Sequence, residues 1–111
     1  MTVWGTGRQL REFLYVEDLA DALVFLMERY SGELHVNVGS GEEVSIRELN
    51  ELICRVVGFE GSLEFDTSKP DGMPRKLLDV TMLQDMGWEP TTSLEEGLRL
   101  AYDWFLSTLK D

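Results

Sequence analysis

Residues Val3 to Leu23 read "VWGTGRQLREFLYVEDLADAL", and the two ends of this stretch ask for different structures. Trp4-Gly5-Thr6-Gly7 is a turn by composition, because glycine reaches backbone conformations closed to other residues. "REFLYV" (11–16) is rich in Phe, Leu, Tyr and Val and reads as a short extended segment. From Glu17 to Tyr30 the pattern becomes helical. Asp18 is the candidate N-cap, and Glu17, Asp18 and Asp21 lie where the helix dipole favours negative charge. Leu19, Leu23, Leu26, Met27 and Tyr30 recur at helical spacing, and Ala20, Ala22, Val24 and Phe25 widen the apolar surface well past one face. Such a helix expects burial on two sides. A chain of 111 residues has little to cover both sides with.

Outward from this stretch the chain alternates between strand and helix signals. "LHVNVG" (34–39) reads as a strand, with Gly39 and Gly41 in the turn after it. Ser45-Ile-Arg-Glu48 is a capping box, opening a helix whose stripe is Ile46, Leu49, Leu52, Ile53, Val56 and Val57 and whose stop is Gly58. "SLEFD" (62–66) is a candidate strand, and "TSKPDGMPRK" (67–76) is a loop by its Pro, Asp and Gly content. Thr81-Met-Leu-Gln84 and Ser93-Leu-Glu-Glu96 are further capping boxes. The second opens a last helix that turns Leu94, Leu98, Ala101, Tyr102, Phe105 and Leu109 inward. The expected fold is α/β, with three to four helices and two or three short strands in one domain over residues 1–111. That is few strands for a freestanding sheet.

Composition narrows the function. The hydrophobic content of 43% supports a packed core. The net charge of −11 sets the chain against nucleic acid as a partner. No apolar run approaches the roughly 20 residues that span a bilayer, and no leader of basic then apolar residues is visible at the N-terminus. The single cysteine, Cys54, cannot form an internal disulfide, which fits a reducing, cytoplasmic setting. Five of the ten Lys and Arg residues (Arg8, Arg11, Lys69, Arg75 and Lys76) fall in two loop-like segments. Basic loops on an acidic body suit a small anionic ligand, although loops also carry charge for no purpose beyond solvation.

Catalytic patterns are sparse. The sequence holds neither G-x-G-x-x-G nor G-x-x-x-x-G-K-[ST], and its "GTG" and "GSG" pairs are too common to indicate phosphate binding alone. His35 has no Cys or Ser partner nearby and reads as structural. Cys54 lies on the apolar side of a helix, and no His or Cys spacing suggests a metal. A binding constellation remains. Trp4 offers a flat face, and Arg11 a planar fork able to grip phosphate bidentately. Lys69, Asp71, Arg75 and Lys76 stand on a loop stiffened by proline, with Asp71 able to accept from a hydroxyl or base N–H. The ligand class these residues indicate is nucleotide-like or a sugar phosphate.

"WGTG…REFLYVEDLADA", "NVGSGEEVSIRELNELICRVVGFEG" and "FDTSKPDGMPRKLLDVTMLQDMGW" resemble consecutive motifs of the GDP-L-fucose synthases. These are NADP-dependent GDP-4-keto-6-deoxymannose 3,5-epimerase/4-reductases among the extended short-chain dehydrogenase/reductases. The resemblance runs from Val3 to about Leu106, and "KPDGMPRKLLDV" is its most specific part. It covers only the last third or so of that family's chain. It implies a small C-terminal substrate-binding domain without the Rossmann half, the glycine-rich NADP turn or the Tyr-x-x-x-Lys pair. On matched motifs it implies that Trp4, Arg11 and Asp71 contact a GDP-sugar, Arg11 at phosphate, with Arg75 and Lys76 as further contacts. It also implies no catalytic residue and no cofactor in this chain, NADP belonging to the complete enzyme. The surplus apolar surface of helix 17–30 would pack against the Rossmann portion.

Two other readings stand beside this one. The chain is the substrate domain of another nucleotide-sugar epimerase or dehydratase, or it is a non-enzymatic remnant that associates with itself or a partner through helix 17–30.

Overall fold

The structure, a computed structural model, describes residues 1–76 and 78–109. In chain order its elements are β1 (Thr2–Trp4), β2 (Leu10–Arg11), α1 (Val16–Arg29), β3 (Val44–Ser45), α2 (Ile46–Val57), β4 (Glu64–Asp66), α3 (Thr81–Asp85) and α4 (Leu94–Thr108). The α/β class and the four helices agree with the sequence. The strand expected at 62–66 is present as the shorter β4, whereas of 11–16 only Arg11 is in a strand. β1 pairs in parallel with β4, Val3 opposite Phe65. β2 pairs antiparallel with β3, Leu10 opposite Ser45. Among the described residues this makes two separate two-stranded ribbons. β1 carries no strand signal of its own, because its pairing partner lies about sixty residues downstream.

The strand expected over 34–39 does not form: the segment has no regular secondary structure and pairs with no strand among the described residues. Its alternation is nonetheless real: Val36 and Val38 pack onto Ala22, Leu83 and Trp88, while Asn37 Nδ2 donates to the Asp79 carbonyl at 3.2 Å. A ladder needs a neighbour as well as a pattern.

Helix starts follow local chemistry with two exceptions. Ser45 forms both bonds of its capping box with Glu48, and Gly58 closes α2 at φ 76°. The Ser93 hydroxyl accepts from the Glu96 N–H at the start of α4. Asp18, however, does not cap α1. Tyr15 occupies the cap with no side-chain bond, and Asp18 lies inside the helix, buried. Its Oδ1 accepts from the Thr91 N–H at 3.3 Å and hydroxyl at 3.0 Å, and its Oδ2 from the Thr92 N–H at 3.0 Å. Thr81 does not cap α3 either. It is Asp79 Oδ1 that accepts from the Thr81 N–H and hydroxyl, at 3.0 and 2.6 Å.

The core is small. Ala22, Leu83 and Trp88 are its buried centre, with Leu14, Phe25, Leu26, Val36 and Val38 packed around them, and the Trp88 indole donates to Asp21 Oδ2 at 3.0 Å. α2 packs along α4. The expected stripe of α1 divides. Leu26 turns inward, whereas Leu19, Leu23, Val24 and Met27 face solvent, Met27 at 83% exposure. On α4, Ala101 and Phe105 are exposed, as is Leu109 just past its end, contrary to the inward stripe read from the sequence, and Trp104 stands 69% exposed.

The shape matches this shortage of cover. The molecule is a slab of 49 × 40 × 19 Å with a radius of gyration of 16.7 Å, against about 13 Å for a compact chain of this length. Its accessible surface is 8059 Å², where a compact protein of 12.7 kDa has about 6,200 Å². The excess, about 1,800 Å², is more than the roughly 800 Å² one partner gives to a standard interface and is of the order of one side of an obligate interface.

Candidate functional site

The Trp4–Gly7 turn leaves β1 with Gly5 at φ 85°. The Gly5 N–H donates to the Asp66 carbonyl at 2.8 Å, and a side chain at Gly5 would collide with the Asp71 carboxylate. That carboxylate closes the turn. Its Oδ1 accepts from the Thr6 N–H at 2.6 Å and its Oδ2 from the Thr6 hydroxyl at 2.7 Å. These bonds, the backbone one first, together with the charge of Arg8, hold the Asp71 carboxyl below the usual range against the opposing effect of burial. The turn therefore does not present the free N–H groups a phosphate cradle needs, since Thr6 has given its own to an anion. Nor does a helix begin there: the next element is β2. The described residues do not fit a dinucleotide cofactor at this turn.

The basic loop runs from this turn to β2. Lys69 holds its ammonium 5.2 Å from the Trp4 ring centroid, a cation–π distance, and Trp4 remains 65% exposed. Farther along, the Leu10 N–H donates to the Pro74 carbonyl at 2.9 Å and the Lys76 N–H to the Leu10 carbonyl at 3.2 Å. A parallel bridge between Leu10 and Arg75 results. Residues 69–76, a loop by composition, are thus tied to the 4–11 segment at both ends.

Arg11 and Lys76 line one cleft of about 340 Å³, with Glu12 and Ser40 on its walls and Leu14 and Val38 beneath. This lies within the range of small-ligand sites, about 300–1,000 Å³. Arg11 Nη1 donates to the Leu10 carbonyl at 2.7 Å, and its Nη2 lies beside Gly72. Its other guanidinium N–H groups make no hydrogen bond among the described residues. A more open cleft of about 590 Å³ adjoins across Leu78 and includes Arg75, Thr81 and Gln84.

The five residues singled out from sequence therefore fall into three places. Arg11 and Lys76 share the smaller cleft. Trp4 and Asp71 stand together at the turn, joined to Arg11 through the chain at Gly72. Arg75 lines the larger cleft and is engaged in an ion pair with Glu43, whose second oxygen is buried with no partner among the described residues. Two polar residues of the site escaped sequence reading, Thr6 and Glu12, and Glu43, whose pairing with Glu42 reads as a solvated turn, is instead ion-paired with Arg75. Glu12 Oε2 accepts from the Gly41 N–H at 3.1 Å and Oε1 from the Leu78 N–H at 3.2 Å. Its only sequence signal was its place beside Arg11.

His35 is exposed in the segment after α1, and Cys54 is a half-buried free thiol on α2. The described residues contain no cluster of His, Cys, Asp or Glu able to hold a metal, and no helix long and apolar enough to cross a membrane.

Residues 1–39 match the NAD dependent epimerase/dehydratase family. GDP-L-fucose synthase 1 of Arabidopsis thaliana is 61% identical over 98% of this chain and 34% of its own length. The GDP-L-fucose synthase of Sinorhizobium fredii is 56% identical over all of this chain and 35% of its own. In fold, a GDP-L-fucose synthetase from Naegleria fowleri bound to NADP superposes with a TM-score of 0.92 at 30% identity, covering 98% of this chain and 35% of that one. In sequence and fold the chain is therefore similar to the C-terminal portion of extended short-chain dehydrogenase/reductases of the nucleotide-sugar epimerase type. Within that class it is the GDP-L-fucose synthases that it resembles, and it spans about a third of the length of the curated relatives it matches.

Proposed function

We propose that the chain forms the nucleotide-sugar wall of a GDP-L-fucose synthase-like, NADP-dependent epimerase/reductase and does not catalyse the reaction by itself. The observation that carries this reading is the convergence of Arg11 and Lys76 on one cleft, beside a loop pinned to the Trp4 turn. Arg11 grips the diphosphate through its fork, and Lys76 adds charge at the same cleft. Trp4 offers its free face to a ring of the ligand, and the remaining lone pairs of Asp71 accept from a ligand hydroxyl. Arg75 is the outlying contact, because Glu43 already holds it. Hydride and proton transfer need a bound nicotinamide and a placed proton donor, and the Tyr-x-x-x-Lys pair that supplies the donor in the resembled family does not occur in this sequence.

The cofactor-bearing wall in this reading lies against the outward face of α1, where Leu19, Leu23, Val24 and Met27 are exposed. The same face favours a second reading, self-association through α1. Saturation-transfer NMR with GDP and UDP in competition tests the ligand class. The reading expects transfer to GDP and little displacement by UDP. Preference for UDP would favour another nucleotide-sugar epimerase or dehydratase, and transfer to neither would leave the self-associating reading.

A further inference from the structure

We infer that Glu12 is the positioning residue of the Arg11–Lys76 cleft, a carboxylate clamp that sets the distance between its two walls. The clamp joins segments far apart in sequence. One oxygen receives the N–H of Gly41, next in the chain to the Val38–Ser40 stretch that lines the cleft. The other receives the N–H of Leu78, directly after the basic loop that supplies Lys76. Glu12 follows Arg11 at the edge of β2, so its own backbone is fixed by the β2–β3 pairing at Arg11 and Val44. A side chain at Gly39 would collide with the Glu12 carboxylate, so the wall approaches the clamp as closely as a residue without Cβ permits. Each oxygen of a carboxylate accepts a backbone N–H without competition from a donor of its own. Glutamine keeps one acceptor and sets an NH₂ against the other N–H, and aspartate is one methylene too short to reach both walls.

The effect on ligand rests on the reading that this cleft receives a nucleotide diphosphate, and the clamp itself is tested without ligand. The experiment compares wild type, Glu12→Gln, Glu12→Asp and, as a control on the neighbouring turn, Glu42→Gln, by amide hydrogen exchange and then by NMR titration with GDP. In both Glu12 variants, exchange at Gly41 or Leu78 should rise about tenfold while the amides of α2 and α4 and the melting temperature stay at wild-type values. GDP affinity should fall at least threefold in both, with Glu42→Gln unchanged. Unaltered exchange at both amides in both variants overturns the clamp. A wild-type GDP affinity in either Glu12 variant overturns its control of the cleft. Absence of any GDP response in wild type overturns the ligand reading instead, and the exchange comparison still decides the clamp.

Discussion

The carboxylate of Asp71 and residue Thr6, sixty-five positions apart, are joined by two hydrogen bonds, one to the backbone N–H at 2.6 Å and one to the side-chain hydroxyl at 2.7 Å. This pair decides where the basic loop lies. It brings the segment that carries Lys69, Arg75 and Lys76 against the turn that carries Trp4, and Gly72, the next residue, comes to rest beside the Arg11 guanidinium. Asp71 thus organises the site, and in the proposed reading it also offers an acceptor to a ligand.

Acid should release this tether. The Asp71 carboxyl is held below the ordinary range by the Thr6 bonds and by Arg8. A carboxylate with a depressed folded-state pKa stabilises fully above its unfolded value, about 3.9, and that stabilisation is lost as pH falls through the lower folded value. The Thr6 amide resonance should therefore stay constant from neutral pH down to about pH 4 and move only below it. Movement centred near pH 5 or above would contradict the tether.

Asp18 should be the costliest polar residue to remove from the fold. Its burial raises the carboxyl pKa, and the bonds from Thr91 and Thr92 outweigh that and lower it overall. Asp18→Ala leaves those donors unanswered at the junction of α1 with the start of α4. A loss of about 1.5–3 kcal/mol is expected, since hydrogen bonds to charged groups are of that size. Thermal denaturation should register it at roughly 4–8 °C per kcal/mol. An unchanged melting temperature would mean that the α1–α4 junction does not depend on this carboxylate.

How far the sequence anticipated the structure depended on the distance between partners. α2 was legible to its ends because Ser45, Glu48 and Gly58 settle its boundaries within the helix itself. Asp18 and Thr81 carried the same kind of local signal and were misread. The partners of Asp18 lie over seventy residues away, and at α3 the Thr81 hydroxyl is engaged by Asp79 while Val80 stands at the cap. The strand expected at 34–39 followed a true inward alternation of Val36 and Val38, but sequence does not say whether a neighbour exists to pair with it. At the site, Arg11 and Lys76 were legible as isolated charges, and the structure brings them to one cleft. Glu12 and Thr6 were not legible, because each acts through backbone or carboxylate groups brought in by the fold.

The outward face of α1 should make the chain associate. Each large apolar side chain left in water forgoes roughly 1.5–3 kcal/mol, and Leu23, Val24 and Met27 are all more than half exposed. Sedimentation equilibrium should show mass rising with concentration, and Leu23→Lys with Met27→Lys should reduce it without lowering helix content. A wild-type chain that remains strictly monomeric at high concentration would argue against association through this face.

Incubated with NADPH and GDP-4-keto-6-deoxymannose, the chain should oxidise no cofactor, because the sequence brings neither the catalytic pair nor the glycine-rich cofactor turn of the resembled family. The measurement is the decay of NADPH absorbance against a blank without protein. A rate clearly above the blank would show a reaction centre that this account does not contain.

The central claim, that Arg11 and the loop around Asp71 form a nucleotide-diphosphate wall, is tested most directly by an NMR titration of the chain with GDP, with UDP and inorganic phosphate in parallel. With only one wall of the cleft in this chain, affinity should fall in the high-micromolar to millimolar range, about 4–6 kcal/mol. The Trp4 indole and the amides of Arg11 and Asp71 should shift together. Arg11→Lys should weaken binding nearly as much as Arg11→Ala, because it keeps the charge and loses a fork worth about 1.5–3 kcal/mol. Those three signals standing still through several millimolar GDP, or Arg11→Lys binding as wild type does, would contradict the claim.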